Sequence, residues 1–178
     1  MRNSKNFTGH QLLMAILLAF ILVFSSCKYS AKEEIPFQVQ HADWVYNATI
    51  YEVNVRQYTP EGTFKAFESH MPRLKELGVE ILWFMPIHPI GEVNRKGALG
   101  SYYSVKDYYG VNPEFGTLDD FKSVVAQAHQ LGMKVIIDMV ANHTSHDAVL
   151  VKEHPDWYVH DSLGNLVSPF DWTDVAKL

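Results

Sequence analysis

The chain has 178 residues, of which 47% are hydrophobic and 20% charged, with a formal net charge of −5. That balance supplies enough apolar surface for a domain with a real core and excludes a largely disordered chain. Binding to a phosphate backbone needs a basic footprint, so the acidic balance argues against nucleic acid as a partner.

The first residues differ from the rest. Arg2 and Lys5 precede an apolar run of thirteen residues from Leu12 to Phe24, and two small residues, Ser25 and Ser26, follow it. A charged start, a short apolar stretch and small residues form a secretory signal over 1–26, and the stretch is short of the ~20 residues that span a bilayer. The single cysteine, Cys27, comes next and has no partner for an internal disulfide. Phe24-Ser25-Ser26-Cys27 resembles a bacterial lipobox, with Phe24 where leucine is usual. The resemblance implies cleavage before Cys27 and lipidation of its thiol. Residues 27–43 then become a tether to a bacterial membrane, held by about 0.8 kcal/mol per buried methylene. The plain alternative is an ordinary signal followed by an inert cysteine.

From residue 44 the pattern becomes periodic. Thr49 to Tyr58 is rich in β-branched and aromatic residues and runs into Pro60-Glu61-Gly62, which predicts a strand and a turn. Phe64, Phe67, Met71, Leu74 and Leu77 recur at steps of three and four, predicting an amphipathic helix kinked at Pro72 and stopped at Gly78. Val79 to Pro86 reads as a second strand. Thr117 is placed to cap another helix whose first turn carries Asp119 and Asp120, and whose apolar face runs from Leu118 through Phe121, Val124, Val125 and Ala128 to Leu131. Gly132 ends it and a third strand follows.

The two helix-to-strand junctions share a pattern, Leu-Gly, an apolar residue, a charge, then four mainly apolar residues, at Leu77 to Phe84 and Leu131 to Asp138. Repeated strand-helix-strand units predict a parallel sheet with right-handed crossovers, whose ligands gather at the carboxyl ends of the strands. At the end of the third strand the run Lys134 to Val140 carries Asp138 and leads into Asn142-His143. A parallel strand covered on both faces reads as unbroken apolar sequence, so these polar groups need a reason. Buried among Ile136, Ile137, Met139 and Val140, the carboxylate of Asp138 would need a cation or hydrogen-bond donors; at a strand end in water it would need neither. Asn142 and His143 offer fixed hydrogen-bonding atoms suited to sugar hydroxyls or, through an amide oxygen, to a hard cation; the plain alternative is an Asn-capped turn. His143, His146, Asp147 and His154 lack the strict spacing of a zinc site, and no phosphate-cradling or dinucleotide-binding glycine motif is present.

Asp138-Met139-Val140-Ala141-Asn142-His143 resembles the strand-three region of the α-amylase family of glycoside hydrolases (family thirteen), and Gly100 to Thr117 resembles that family's loop after strand two. The two blocks stand in the family's order, and the resemblance covers roughly Trp44 to Leu178. It implies a (β/α)8 TIM barrel. A closed barrel takes around 250 residues, so the expected fold is partial: the first three strands over 44–143, then the start of an inserted, irregular domain B over 144–178.

The resemblance also implies roles. Tyr103, in the pattern completed by Asp107 and Tyr108, would stack on the sugar at the cleavage point, with adjacent Tyr102 as the competing assignment. Asp107 would be a structural residue of that loop. Asp138 would be structural and meet an arginine near strand four. His143 would bind hydroxyls of the same sugar, and Asn142 would give an oxygen to a structural calcium ion. The family's nucleophile, acid/base and third acid come from strands four, five and seven, beyond Leu178. The implied activity of the full-length parent is retaining hydrolysis of α-glucosidic bonds in α-glucans or maltooligosaccharides, with the chain itself expected to be inactive. A second class of reading is a non-catalytic, amylase-like surface lipoprotein that binds glucan or another protein. A third is a small open-sheet domain complete in itself.

Overall fold

Three short parallel strands carry the molecule: β1 (Ile50–Val53), β2 (Ile81–Phe84) and β3 (Lys134–Ile137), in the order β1-β2-β3. The computed structural model describes Met14 and residues 39–178. The expected leader and lipidated Cys27 lie outside the described residues. Ile50 aligns with Ile81 and Ile81 with Lys134, so the three strands start level and end level. Their carboxyl ends therefore present the following loops on one side.

The repeated Leu-Gly junction has a physical basis. Helix α3 (Met71–Glu76) ends at Leu77, and Gly78 takes φ 94°; helix α4 (Leu118–Gln130) ends at Leu131, and Gly132 takes φ 75°. In each case the next amide reaches back to the last turn, Val79 to the Leu74 carbonyl at 3.0 Å and Met133 to the Ala128 carbonyl at 2.8 Å. This is a left-handed glycine stop with its apolar follower buried, since Val79 and Met133 are both in the core. It aims the chain directly into β2 and β3. At the other end of α4, the Thr117 side chain accepts from the Asp120 amide while the Asp120 carboxylate accepts from the Thr117 amide, forming a reciprocal cap.

Several elements are shorter than the sequence predicts. The first strand stops at Val53, and residues 55–58 turn into a four-residue helix, α1 (Val55–Tyr58). The helix predicted through Phe64 to Leu77 is two pieces, α2 (Phe64–Glu68) and α3, with Pro72 in the first turn of the second rather than inside a continuous helix. Proline lacks an amide proton that the first turn does not need, so the break falls just before it. Leu77 points outward and is 69% exposed, unlike its predicted place on the apolar face. The third strand is not covered on both faces: Ile136 is 45% and Ile137 40% exposed. Among the described residues, β3 pairs only with β2, and its outer edge is open.

The core lies between the sheet and the helices. Phe84 at the end of β2 meets Phe67 of α2 edge to face at 5.4 Å and Phe121 of α4 at 5.5 Å, and Phe64 closes the group against Phe121 at 5.2 Å. These rings, with Met71, Leu74, Leu82, Val124 and Met133, are buried and tie both crossover helices to the central strand.

The segment expected to be irregular after Thr144 is more ordered than its composition suggests. Strand β4 (His143–Ser145) pairs antiparallel with β5 (Val175–Lys177), His143 opposite Lys177 and Ser145 opposite Val175. The expected boundary at 143/144 therefore falls inside a strand. Between them stand a short helix, α5 (Val149–Glu153), and a 3-10 turn at Pro155–Trp157. Gly91, in the long loop after β2, packs against β4 so closely that a Cβ there would lie 2.1 Å from the Ser145 Cβ. Only glycine allows that approach.

Candidate functional site

The loop after β2 is held from below before it offers anything to a ligand. Arg56 in α1 donates to the carbonyls of Gly100 at 3.3 Å and Leu99 at 3.2 Å, and its guanidinium lies 4.3 Å from the centre of the Tyr102 ring. The Tyr102 hydroxyl donates to Asn54 Oδ1 at 2.6 Å, and the ring packs on the core. Tyr102 is thus turned inward, and Tyr103 faces the other way. Of the two, Tyr103 lines a cleft and Tyr102 does not.

The Tyr103 hydroxyl donates to Asp138 Oδ2 at 3.0 Å. Asp138 sits one residue past β3, half-buried, with its amide still donating to the Phe84 carbonyl at 2.8 Å. The expected setting of Asp138 inside a buried strand is corrected: it is at the strand end. Among the described residues its side-chain donor is a tyrosine hydroxyl rather than an arginine. Burial, then the bond to Asp138, push the Tyr103 hydroxyl from its ordinary 10.0 to about 12, so it stays protonated and keeps donating.

His143 opens β4 with its ring buried. The Asn142 amide nitrogen lies 2.9 Å from His143 Nδ1, an arrangement that makes Nδ1 the acceptor and puts the ring proton on Nε2. Burial pushes the imidazole below its usual range, and a hydrogen bond with the Tyr103 backbone and the charge of Asp174 act against it. The ring is therefore neutral at pH 7. Trp172 meets it edge to face, with centroids 5.5 Å apart.

Tyr103 and His143 line one cleft of about 400 Å³ together with Lys96, Ser101, Trp172, Asp174 and Val175. Three elements distant in sequence meet there: the loop after β2, the start of β4 and the approach to β5. Asp174 is nearly buried and paired with Lys96 Nζ at 3.1 Å. Trp172 and Asp174 were missed as site residues. Their only signal was the aromatic and acidic cluster Pro169 to Asp174, whose placement depends on the β4–β5 pairing.

Asp107 does something different. Its Oδ1 accepts from the Tyr109 amide at 2.9 Å, closing a turn within the loop, and it borders a separate cleft of about 450 Å³. Charges around that larger cleft are already satisfied: Lys106 pairs with Glu92 at 2.8 Å and Asp147 at 3.4 Å, and Arg95 donates to the carbonyls of Gly91 and Ile90. Tyr108 donates to the Val140 carbonyl, tying the loop to the segment after β3, and burial pushes its hydroxyl up to about 12 as well.

A calcium ion takes six to eight oxygens. Asn142 is exposed and brings a single amide oxygen, and among the described residues no three His, Cys, Asp or Glu side chains converge.

The raised hydroxyls of Tyr103 and Tyr108 give a direct check. Between pH 10 and about 12 the unfolded chain loses protons that folded Tyr103 and Tyr108 keep, so stability is expected to fall as pH rises through that window. Ultraviolet titration of tyrosinate should show a late-ionising fraction that Tyr103→Phe reduces. A titration in which every tyrosine ionises near 10 contradicts the described environment.

Three level parallel strands joined by crossover helices, with a cleft lined by Tyr103 and His143 beyond their carboxyl ends, form part of a (β/α)8 barrel. The sequence profile described as the alpha amylase catalytic domain matches residues 25–177, and the chain belongs to the alpha-amylase family. Among solved structures it is similar to an alpha-amylase from Lactobacillus plantarum, at 55% identity and a TM-score of 0.73, over 74% of this chain and 32% of that one. It is also similar to a noncanonic maltogenic alpha-amylase from Thermotoga neapolitana, at 44% identity and a TM-score of 0.69, over 74% of this chain and 31% of that one. Among curated proteins, Alpha-amylase 3 of Dictyoglomus thermophilum is 35% identical over 132 residues, covering 71% of this chain and 23% of that protein. The chain thus spans about a quarter to a third of the length of these three relatives.

Proposed function

We propose that the 400 Å³ cleft holds one sugar ring of an α-glucan or maltooligosaccharide, in a protein of which the barrel as a whole cleaves α-glucosidic bonds with retention. The observation that carries this reading is the convergence of Tyr103, its hydroxyl anchored on Asp138, with the neutral imidazole of His143. An aromatic face packs against sugar C–H groups, and a neutral imidazole exchanges hydrogen bonds with hydroxyls without carrying a charge into the site. The likeness to alpha-amylases supports the substrate class.

Binding and bond cleavage are separable here. Retaining hydrolysis uses two carboxyl groups about 5–5.5 Å apart, a nucleophile and an acid/base. The cleft is lined by one carboxyl, Asp174, and Lys96 already pairs with it. Among the described residues, the cleft thus offers a surface for holding a sugar and no pair of carboxyls lining it. Incubated with starch, the 178-residue chain is expected to release no reducing ends above a heat-treated control, while calorimetry with maltotriose shows binding. Sustained turnover by the purified chain would overturn the assignment, and no binding would favour the reading in which the cleft serves another partner.

The charged start and apolar run over 1–26, with Phe24-Ser25-Ser26-Cys27 after it, support a lipid anchor at Cys27 to a bacterial membrane. Radiolabelled palmitate fed to expressing bacteria is expected to label the protein and to be lost with Cys27→Ser. Labelling unaffected by that substitution contradicts the anchor.

A further inference from the structure

The end of the sheet opposite the cleft carries an aromatic group of its own. A 3-10 turn over Asp43–Val45 leads into β1, and three successive apolar or aromatic residues there meet water: Trp44 is 48% exposed, Tyr46 70%, and Val45 between them is exposed as well. Two contacts fix where the turn lies. The Thr49 carbonyl accepts from the Ile81 amide at 2.9 Å, joining the chain to the first residue of β2, and Lys134, the first residue of β3, holds Nζ 5.6 Å from the centre of the Trp44 ring. Trp44 therefore stands at the amino end of the sheet. Tyr103 and Asp138 meet beyond the carboxyl end, and four-residue strands at ~3.3 Å per residue put roughly 13 Å of sheet between the two.

Scattered exposed apolar residues are ordinary, but a consecutive run of them on a turn calls for a partner. The position of the run in the chain says which partner. Cys27, the residue whose thiol the anchor would acylate, stands seventeen residues before Trp44. Even fully extended, that stretch reaches only about 60 Å, so an anchored protein keeps this turn within that distance of the bilayer. Tethering raises the local concentration of a surface, and a contact too weak to hold a free protein becomes populated. Indole and phenol rings settle at the boundary of a bilayer, with the apolar body toward the acyl chains and the N–H or O–H among the headgroups. Lys134 beside Trp44 suits headgroup phosphates, and Asp43 in the same turn offsets its charge, so the rings rather than the charges carry such a contact.

We propose that Trp44, Val45 and Tyr46 form a contact surface for a lipid bilayer, which seats the amino end of the sheet on the membrane and turns the cleft away from it. This rests on the reading of Cys27 as a lipid anchor. The orientation has a use: a glucan arriving from the medium meets Tyr103 and His143 without having to pass between protein and membrane. The other exposed tryptophans lie elsewhere, since Trp172 lines the cleft and Trp157 has one face stacked on His154 at 3.9 Å. They serve as internal references for the contact.

Fluorescence quenching on vesicles tests it, with the full chain purified from expressing bacteria and reconstituted in phosphatidylethanolamine and phosphatidylglycerol, with or without phosphatidylcholine brominated on its acyl chains. Bromine quenches an indole only at close range. The parent is expected to lose emission on the brominated vesicles; Trp44→Phe loses most of that difference, while Trp172→Phe and Trp157→Phe keep it. Phenylalanine retains an apolar ring, so the variant is expected to melt with the parent, and Trp44→Tyr serves as a second replacement should it not. If vesicle-bound, acylated protein shows no quenching, or quenching that Trp44→Phe and Trp44→Tyr leave unchanged, the contact surface is overturned. Quenching abolished by Trp172→Phe instead means that the cleft faces the bilayer, which overturns the orientation. Mass spectrometry of the same preparation separates the two readings: a Cys27 without an acyl group, in protein that does not float with the vesicles, removes the anchor and the contact with it.

Discussion

His143→Ala is expected to weaken maltotriose binding by about tenfold to a hundredfold, the effect of removing one hydrogen bond from Nε2 at about 1–3 kcal/mol. The imidazole is placed for this by two independent constraints. Asn142 lies 2.9 Å from Nδ1 and sets the tautomer, while the Trp172 edge fixes the ring plane. His143→Gln keeps an amide donor and should lose less. The lowered pKa adds a pH signature with a definite sign. Folded His143 resists protonation more than the unfolded residue, whose value is near 6.5. Stability is full above 6.5 and declines as pH falls from there toward the lowered folded value, because the unfolded chain takes the proton first. Calorimetry and thermal melts between pH 5 and 8 check both effects. Equal affinity of His143→Ala and parent would remove the imidazole from the site.

Phe84→Ala is expected to cost about 3–5 kcal/mol, as large-to-small changes at buried aromatics do. Phe84 has no solvent exposure and lies on the central strand, where it contacts one ring from each crossover helix. Its removal opens a void exactly where α2, α4 and β2 share contacts, so neighbouring rings have little freedom to collapse into it. Domain stabilities of about 5–15 kcal/mol leave a small reserve after that loss. The variant should lose its cooperative melt by circular dichroism, whereas Phe84→Leu retains one at a lower midpoint. A Phe84→Ala melt within a few degrees of the parent would show that the three rings do not form a shared core.

What was legible in the sequence is what local chemistry controls. The Leu-Gly pattern at residues 77–78 and 131–132 encodes a helix stop and strand start, and both occur as read. Thr117 caps α4 as its side chain predicts, and the order of three strands and the crossover helices follows from the periodicity. Strand lengths were less legible. Thr49 to Tyr58 is rich in β-branched and aromatic residues, yet the chain turns into α1 at Val55, where Arg56 reaches the loop around Gly100. That contact lies 44 residues away in sequence and leaves no local trace. The exposure of Ile136 and Ile137 had the same origin, since apolar composition does not reveal whether a neighbouring strand is present. In the site, Tyr103 and His143 were legible through their motifs. Trp172 and Asp174 were not, because β4 and β5 have three residues each and their pairing, not their pattern, brings residue 172 beside residue 143.

The central claim is that Tyr103, its hydroxyl anchored on Asp138, and His143 line one sugar-holding cleft. Its most direct test is a nuclear magnetic resonance titration of the isotopically labelled chain with maltotriose, following the tyrosine and histidine ring signals. Saturable shifts at Tyr103 and His143, with matching dissociation constants and little change at Tyr51 or His129, are the predicted result. Saturable shifts confined to residues remote from the cleft, with Tyr103 and His143 unmoved, would contradict it.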